Sequence, residues 1–133
     1  MQSFFFFATI LFLVSCSDSG SSKKFSGTDS LVINFNIPDT DTIAKTITTI
    51  EPKAIKKLAG FIDGKTDKIF KCGYDGNLMF YKKGKLNSDV SFNFSGDECH
   101  HFMMINNNEL IPTAMSNEAA DFLKSLAQGK AWY

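Results

Sequence analysis

Three cysteines and two histidines carry most of the chemistry open to this chain of 133 residues: Cys16, Cys72, Cys99, His100 and His101. The run Cys99-His100-His101 places a thiol beside two imidazoles, which is the material of a metal site. Consecutive residues on a strand point to opposite faces, so both imidazoles cannot reach one ion without a bend. Zinc also needs three or four converging ligands, and the sequence holds no third histidine. The two are read as turn-proximal histidines, with no metal and no cofactor assigned. Asp39 with Asp41, and Asp63 with Asp67, lack the alternating oxygen ligands and closing Glu of a calcium loop and are read as turn formers. No Gly-x-Ser-x-Gly elbow presents a serine nucleophile. Gly73 and Gly76 are expected in a hairpin, not ahead of a helix as a phosphate-cradling loop would be. No catalytic residue is assigned; in an enzyme built on this chain, His100 and His101 would be the best candidates.

Cys16 stands apart, because it closes an apolar run. Residues 4–14, FFFFATILFLV, are eleven in number. As a helix they would be roughly 16 Å long, about half of a ~30 Å hydrocarbon core. That is too short to span a bilayer and suits the apolar segment of a secretory signal. The residues that follow, Leu13-Val14-Ser15-Cys16, resemble the lipobox of bacterial lipoproteins. In such a box the small residue before the cysteine admits the peptidase, and the thiolate accepts a diacylglyceryl group. The resemblance implies cleavage before Cys16, lipid on Cys16, and anchoring through two or three acyl chains where one alone is marginal. The start, Met1-Gln2-Ser3, departs from the pattern by carrying no Lys or Arg. An ordinary secretory signal, with Cys16 unmodified or disulfide-bonded, is the competing reading. Ser17 at the second mature position, where Asp would favour inner-membrane retention, implies the outer membrane.

A lipidated Cys16 leaves Cys72 and Cys99 as an even pair in an oxidising compartment. A structural disulfide is expected in preference to free thiols or a redox pair, since no Cys-x-x-Cys spacing occurs. The closed loop would stabilise the domain by roughly 3.5 kcal/mol in the chain-entropy picture.

Charge is balanced at 14 basic against 14 acidic residues, and every basic residue is lysine. Without the planar guanidinium fork, and without a basic block longer than two residues, nucleic acid is a poor partner. The same distribution offers no polybasic run for anionic lipid, so attachment to a membrane falls to Cys16.

The elements that must position these residues follow from periodicity. Residues 16–28, rich in Ser, Gly and Lys, cannot bury enough apolar surface to order themselves and read as a tether. Residues 31–37 alternate, with Leu31, Ile33, Phe35 and Ile37 on one side, and form a strand. Residues 43–50, rich in β-branched side chains, suit a second strand, with a helix as the alternative. Pro52 opens a helix whose apolar face is Ala54, Ile55, Leu58, Ala59 and Ile62, ended by Gly64. Residues 69–74 and 77–82 flank Asp75-Gly76, a strong hairpin signal, and Gly84 marks the next turn. Residues 89–95 alternate, Val90, Phe92 and Phe94 inward and Ser91, Asn93 and Ser95 outward. Residues 100–105 and 109–115 are joined by three asparagines that tolerate left-handed backbone, and Pro112 argues for an edge strand. Ser116 caps a last helix buried through Ala119, Phe122, Leu123 and Leu126, with Glu118 at its positive end and Gly129 at its stop.

The expected fold is α+β: a mostly antiparallel sheet of five to seven strands with two helices, in the order β-β-α-β-β-β-β-β-α. The expected division is a lipoprotein signal peptide over 1–15, a lipid-anchored tether over 16–28 and one domain over 29–133. Over residues 43–127 the element order is similar to that of small secreted inhibitors with the β-lactamase-inhibitor-like fold, a likeness that transfers no function. Tyr74 and Tyr81 are expected on the solvent side of the sheet, where with Trp132 and Tyr133 they would form an interaction patch; ordinary cross-strand packing is the alternative. The whole reads as a lipid-anchored, non-catalytic binding or interaction domain. A protein partner in the cell envelope, an accessory place in an envelope complex, and a small periplasmic enzyme are the readings that compete over the folded part.

Overall fold

A computed structural model describes residues 24–62, 64–69 and 71–130. The expected signal peptide, Cys16, most of the expected tether, Asp63, Phe70, Trp132 and Tyr133 lie outside the described residues. Among the described residues eight elements follow one another: β1 (Ser30–Asn36), β2 (Ile43–Thr49), α1 (Pro52–Ile62), β3 (Gly76–Lys82), β4 (Lys85–Asn93), β5 (His101–Asn106), β6 (Glu109–Ala114) and α2 (Asn117–Ala127). The strands form one antiparallel sheet in the order β2-β1-β3-β4-β5-β6. The architecture is the expected α+β with six strands and two helices; the strand expected over residues 69–74 is the difference in order.

Alternation sorts the sheet into two faces. Leu31, Ile33 and Phe35 of β1, Leu78 and Phe80 of β3, Val90 and Phe92 of β4, and Phe102 and Met104 of β5 are buried on one face. Ile55, Leu58 and Ile62 of α1 and Ala119, Ala120, Leu123 and Leu126 of α2 share that cluster, so both helices cover the same side. Phe25, ahead of β1 in the stretch read as tether, is also buried, its ring 4.5 Å from that of Phe80. Phe61 and Phe122 join the helices at 5.7 Å, and the Lys57 ammonium sits 4.3 Å from the Phe122 ring.

The helix ends are built from local chemistry. Ser116 Oγ accepts the Ala119 N–H at 3.1 Å, satisfying a donor that has no partner inside the helix. At the other end Gly129 takes φ 81°, with Gly129 N–H donating to Leu126 O and Lys130 N–H to Ser125 O, the pair of bonds that defines a Schellman stop. Lys45 of β2 reaches the same end, its Nζ 3.2 Å from Leu126 O and 3.4 Å from Ala127 O, where a cation meets the negative pole of the helix.

The hairpin expected at Asp75-Gly76 does not form. Gly76 is inside β3, opposite both Phe35 and Phe92, and a Cβ there would overlap the Asn34 carbonyl oxygen and the Phe92 ring. Glycine is needed at this position for close approach, not for a turn. The β3–β4 turn is instead Lys83-Gly84, with φ 50° and 75°, and β4 begins at Lys85, earlier than the alternation of its second half indicates. Asn107 and Asn108 (φ 49° and 64°) make the corresponding turn between β5 and β6. Ile37 falls beyond the β-bulge that ends β1 and is 45% exposed, so it leaves the face of Leu31 and Ile33. Asn93, expected outward, is buried.

Residues 64–69 and 71–75 belong to a crossing segment. Lys65 O accepts from Ala114 N–H at 2.8 Å, Asp67 N–H donates to Pro112 O at 3.0 Å, and Thr66 bridges Thr113. Pro112 sits on edge strand β6 with its donor-free nitrogen on the side away from β5, which is where a proline is tolerated. A Cβ on Gly64 would stand 2.6 Å from Ala114 O, so this glycine also serves close packing. The segment then meets the Cys72–Cys99 disulfide, Cα–Cα 6.2 Å, and enters β3.

Candidate functional site

The helices leave the second face of the sheet to be covered by other means. On β5 that face carries His101, Met103 and Ile105. The crossing segment shields the first two: the Tyr74 ring lies 5.8 Å from that of His101, and His101 and Met103 are 0% and 5% exposed. His101 Nδ1 donates to the Cys99 carbonyl at 2.6 Å, which fixes the proton on that nitrogen. His101 is thus a buried strand residue beside the disulfide, not a turn residue. His100 precedes the strand and is half-buried, its carbonyl accepting from Met115 N–H at 3.3 Å. Among the described residues no three of His, Cys, Asp and Glu converge as a metal ion would require.

Among the described residues the rest of this face is open, and it carries a row of side-chain hydrogen bonds across four strands. Thr46 Oγ1 donates to Asn34 Oδ1 at 2.8 Å, Asn34 Nδ2 to Asn77 Oδ1 at 3.1 Å, and Asn77 Nδ2 to Asp89 Oδ1 at 2.8 Å. Met79 lies beside the row, its sulfur 3.5 Å from Asn34 Nδ2 and 3.9 Å from the Tyr81 hydroxyl. Asn34 is 8% exposed, so the row fixes its central member while leaving Asp89 at the solvent end. Asparagine is depleted in strands; Asn34 and Asn77 at outward positions were the signal for this row.

Beyond the row the sheet divides. Pairing between β4 and β5 runs only from Val90–Met104 to Asn93–His101, whereas β4 stays paired with β3 down to Lys85 and β5 with β6 down to Asn106. The two strands part around a hollow of about 490 Å³, whose lining includes Lys24, Asp89, Ser91, Met103, Ile105 and Leu110. Leu86, Ile105 and Leu110 are at least half exposed at its rim. This chemistry is that of contact: aliphatic surface with hydrogen-bonding groups beside it.

Of the four residues expected to make a patch, two are described, and these two lie apart. Tyr74 lies at the crossing segment and Tyr81 near the far end of β3, both half-buried; Trp132 and Tyr133 are outside the described residues. Asp39 and Asp41 face Asp75 across a smaller hollow of about 310 Å³. Asp75 is committed to the protein: Oδ2 accepts the N–H groups of Phe94 and Ser95, and Oδ1 the Ser95 hydroxyl.

Among the described residues no helix is long and apolar enough to cross a membrane. Comparison of the chain with models of known families, with curated proteins and with solved structures finds no match.

Proposed function

We propose that the protein is an envelope lipoprotein held on the outer membrane by lipid on Cys16, and that its folded part is a non-catalytic module binding a protein partner through the open sheet face. The observation that carries the second half is one-sided covering. Both helices pack on one face, the crossing segment shields only the His101–Met103 region, and the remainder displays Met79, Tyr81 and a hydrogen-bonded amide row. Interfaces use this mixture of aromatic and sulfur-containing side chains with satisfied polar groups. The leader and its Leu13-Val14-Ser15-Cys16 end support the first half.

Two measurements test the reading. Cys16→Ala is expected to move the protein from the membrane fraction to the soluble fraction; retention on the membrane would refute the anchor. A photo-crosslinking side chain placed at Met79 in living cells is expected to yield one discrete adduct, and the same group at Lys53 on α1 none. Equal labelling from both positions would refute the assignment of the open face.

A further inference from the structure

One end of the sheet gathers charge that is scattered along the chain. The β3–β4 turn presents Lys82, Lys83 and Lys85, all exposed. Lys24, where the described chain starts, joins them: its carbonyl accepts from Asn87 Nδ2 at 2.9 Å, and the stem of Lys82 runs past Gly27, where a Cβ would stand 2.9 Å from its Cε. Asp29, Glu51, Asp89 and Glu109 are the carboxylates of this end. Asp29 accepts the Lys83 N–H at 2.8 Å and Asp89 the Asn77 amide. Beside the lysines open the diverging strands β4 and β5, rimmed by Leu86 (50% exposed), Ile105 (69%) and Leu110 (50%). Of the seven large apolar side chains exposed in the described structure, these three share one hollow.

The chain's own connection says what meets this surface. Cys16 precedes Lys24 by eight residues, a distance of at most about 26–29 Å when fully stretched. The typical reach of a flexible eight-residue chain is shorter, about 14–17 Å, and a seven-residue strand is ~24 Å long, so the end that the tether enters stays nearest the lipid. The opposite end, with the Cys72–Cys99 disulfide and the Asp39–Asp41 turn, is held away.

We propose that this end of the sheet rests on the bilayer: Leu86, Ile105 and Leu110 enter the interfacial zone, and Lys24, Lys82, Lys83 and Lys85 reach the phosphates of anionic lipids. Lysine suits the role because its apolar stem lies along aliphatic surface while its ammonium stays in the polar layer. Shallow insertion of a few aliphatic groups supported by cations is how a surface lies on a membrane without spanning it. The proposal rests on lipid attachment at Cys16 and adds the orientation in which the anchored domain sits.

The test uses the mature lipidated protein in vesicles of phosphatidylethanolamine and phosphatidylglycerol, labelled with a membrane-impermeant amine-reactive ester and mapped by mass spectrometry. Labelling at Lys82, Lys83 and Lys85 is expected to fall at least fivefold relative to protein in non-ionic detergent, with Lys65 and Lys71 at the other end unchanged. Vesicles of phosphatidylcholine alone are expected to protect less, and Leu86→Ser combined with Ile105→Ser to restore labelling although the acyl chains still hold the protein. Equal labelling of both ends on vesicles overturns the proposal, as does protection that needs an added envelope protein and not lipid. Intact mass of the same sample separates the two claims: no acyl mass on Cys16 refutes the anchor, whereas acylated protein labelled equally at both ends refutes the orientation alone.

Discussion

Asp75 Oδ1 accepts a hydrogen bond from the Ser95 hydroxyl at 2.9 Å, while Oδ2 takes the N–H groups of Phe94 and Ser95 at 2.7 and 2.9 Å. One carboxylate therefore closes the end of β4 and ties it to the residue that leads into β3. Hydrogen bonds to an ionised acceptor are worth more than neutral ones, and orphaned donors cost their desolvation. Asp75→Ala is expected to destabilise the domain by about 2–3 kcal/mol and Ser95→Ala by under ~1 kcal/mol, read from urea unfolding midpoints. Equal shifts for the two variants would show that water replaces the carboxylate at no cost.

The disulfide lies close to the same bracket. Cys72 and Cys99 are 27 residues apart, and the bond pins the crossing segment across His101. Reduction, or Cys72→Ala with Cys99→Ala, is expected to lower unfolding free energy by roughly 3.5 kcal/mol and to expose the His101 ring. Thiol titration of the unreduced protein should find neither sulfur free. A midpoint that ignores reductant would mean that the hydrogen bonds of residues 72–75 hold the segment alone.

Elements were legible where one physical need decides the residues. Leu31, Ile33 and Phe35 alternate because one face is dry, and Ser116 begins α2 because an N–H needs an acceptor; both read directly. Asp75-Gly76 misled because two needs share one dipeptide. Aspartate and glycine favour a tight turn, but here the carboxylate brackets β4 and the missing Cβ lets β1, β3 and β4 approach. The division of β4 from β5 was not legible, since it depends on where pairing stops between strands, not on the pattern within either. The lysine cluster was hidden for a similar reason: Lys24 is distant in sequence from Lys82 and Lys85, and only the fold joins them.

The amide row supplies a test of cooperation. Asn34 uses its oxygen toward Thr46 and its nitrogen toward Asn77, and is nearly buried. Asn34→Ala is expected to cost about 1–3 kcal/mol, while Asp89→Ala at the solvent end stays within ~0.5 kcal/mol. Because Asn34 and Asn77 share a bond, their double variant should be less destabilised than the sum of the singles by at least ~0.5 kcal/mol in a double-mutant cycle. Strict additivity would mean that the row is a set of independent contacts.

Two glycines should respond to the same substitution with opposite sign. Gly60 is exposed within α1 and a Cβ there meets nothing within 4 Å, so Gly60→Ala removes only the entropic penalty of glycine in a helix and should stabilise by about 0.5–1 kcal/mol. Gly76 faces the Asn34 carbonyl oxygen and the Phe92 ring. The backbone oxygen belongs to β1, which is paired on both sides and cannot withdraw. Gly76→Ala should therefore cost about 3 kcal/mol, at the upper end of what overpacking produces. Thermal unfolding of the two variants side by side measures both, with shifts of roughly 4–8 °C per kcal/mol for a domain of this size. If Gly76→Ala melts with the parent protein, β1 and β3 can part at this rung, and the close approach imposes no requirement for glycine.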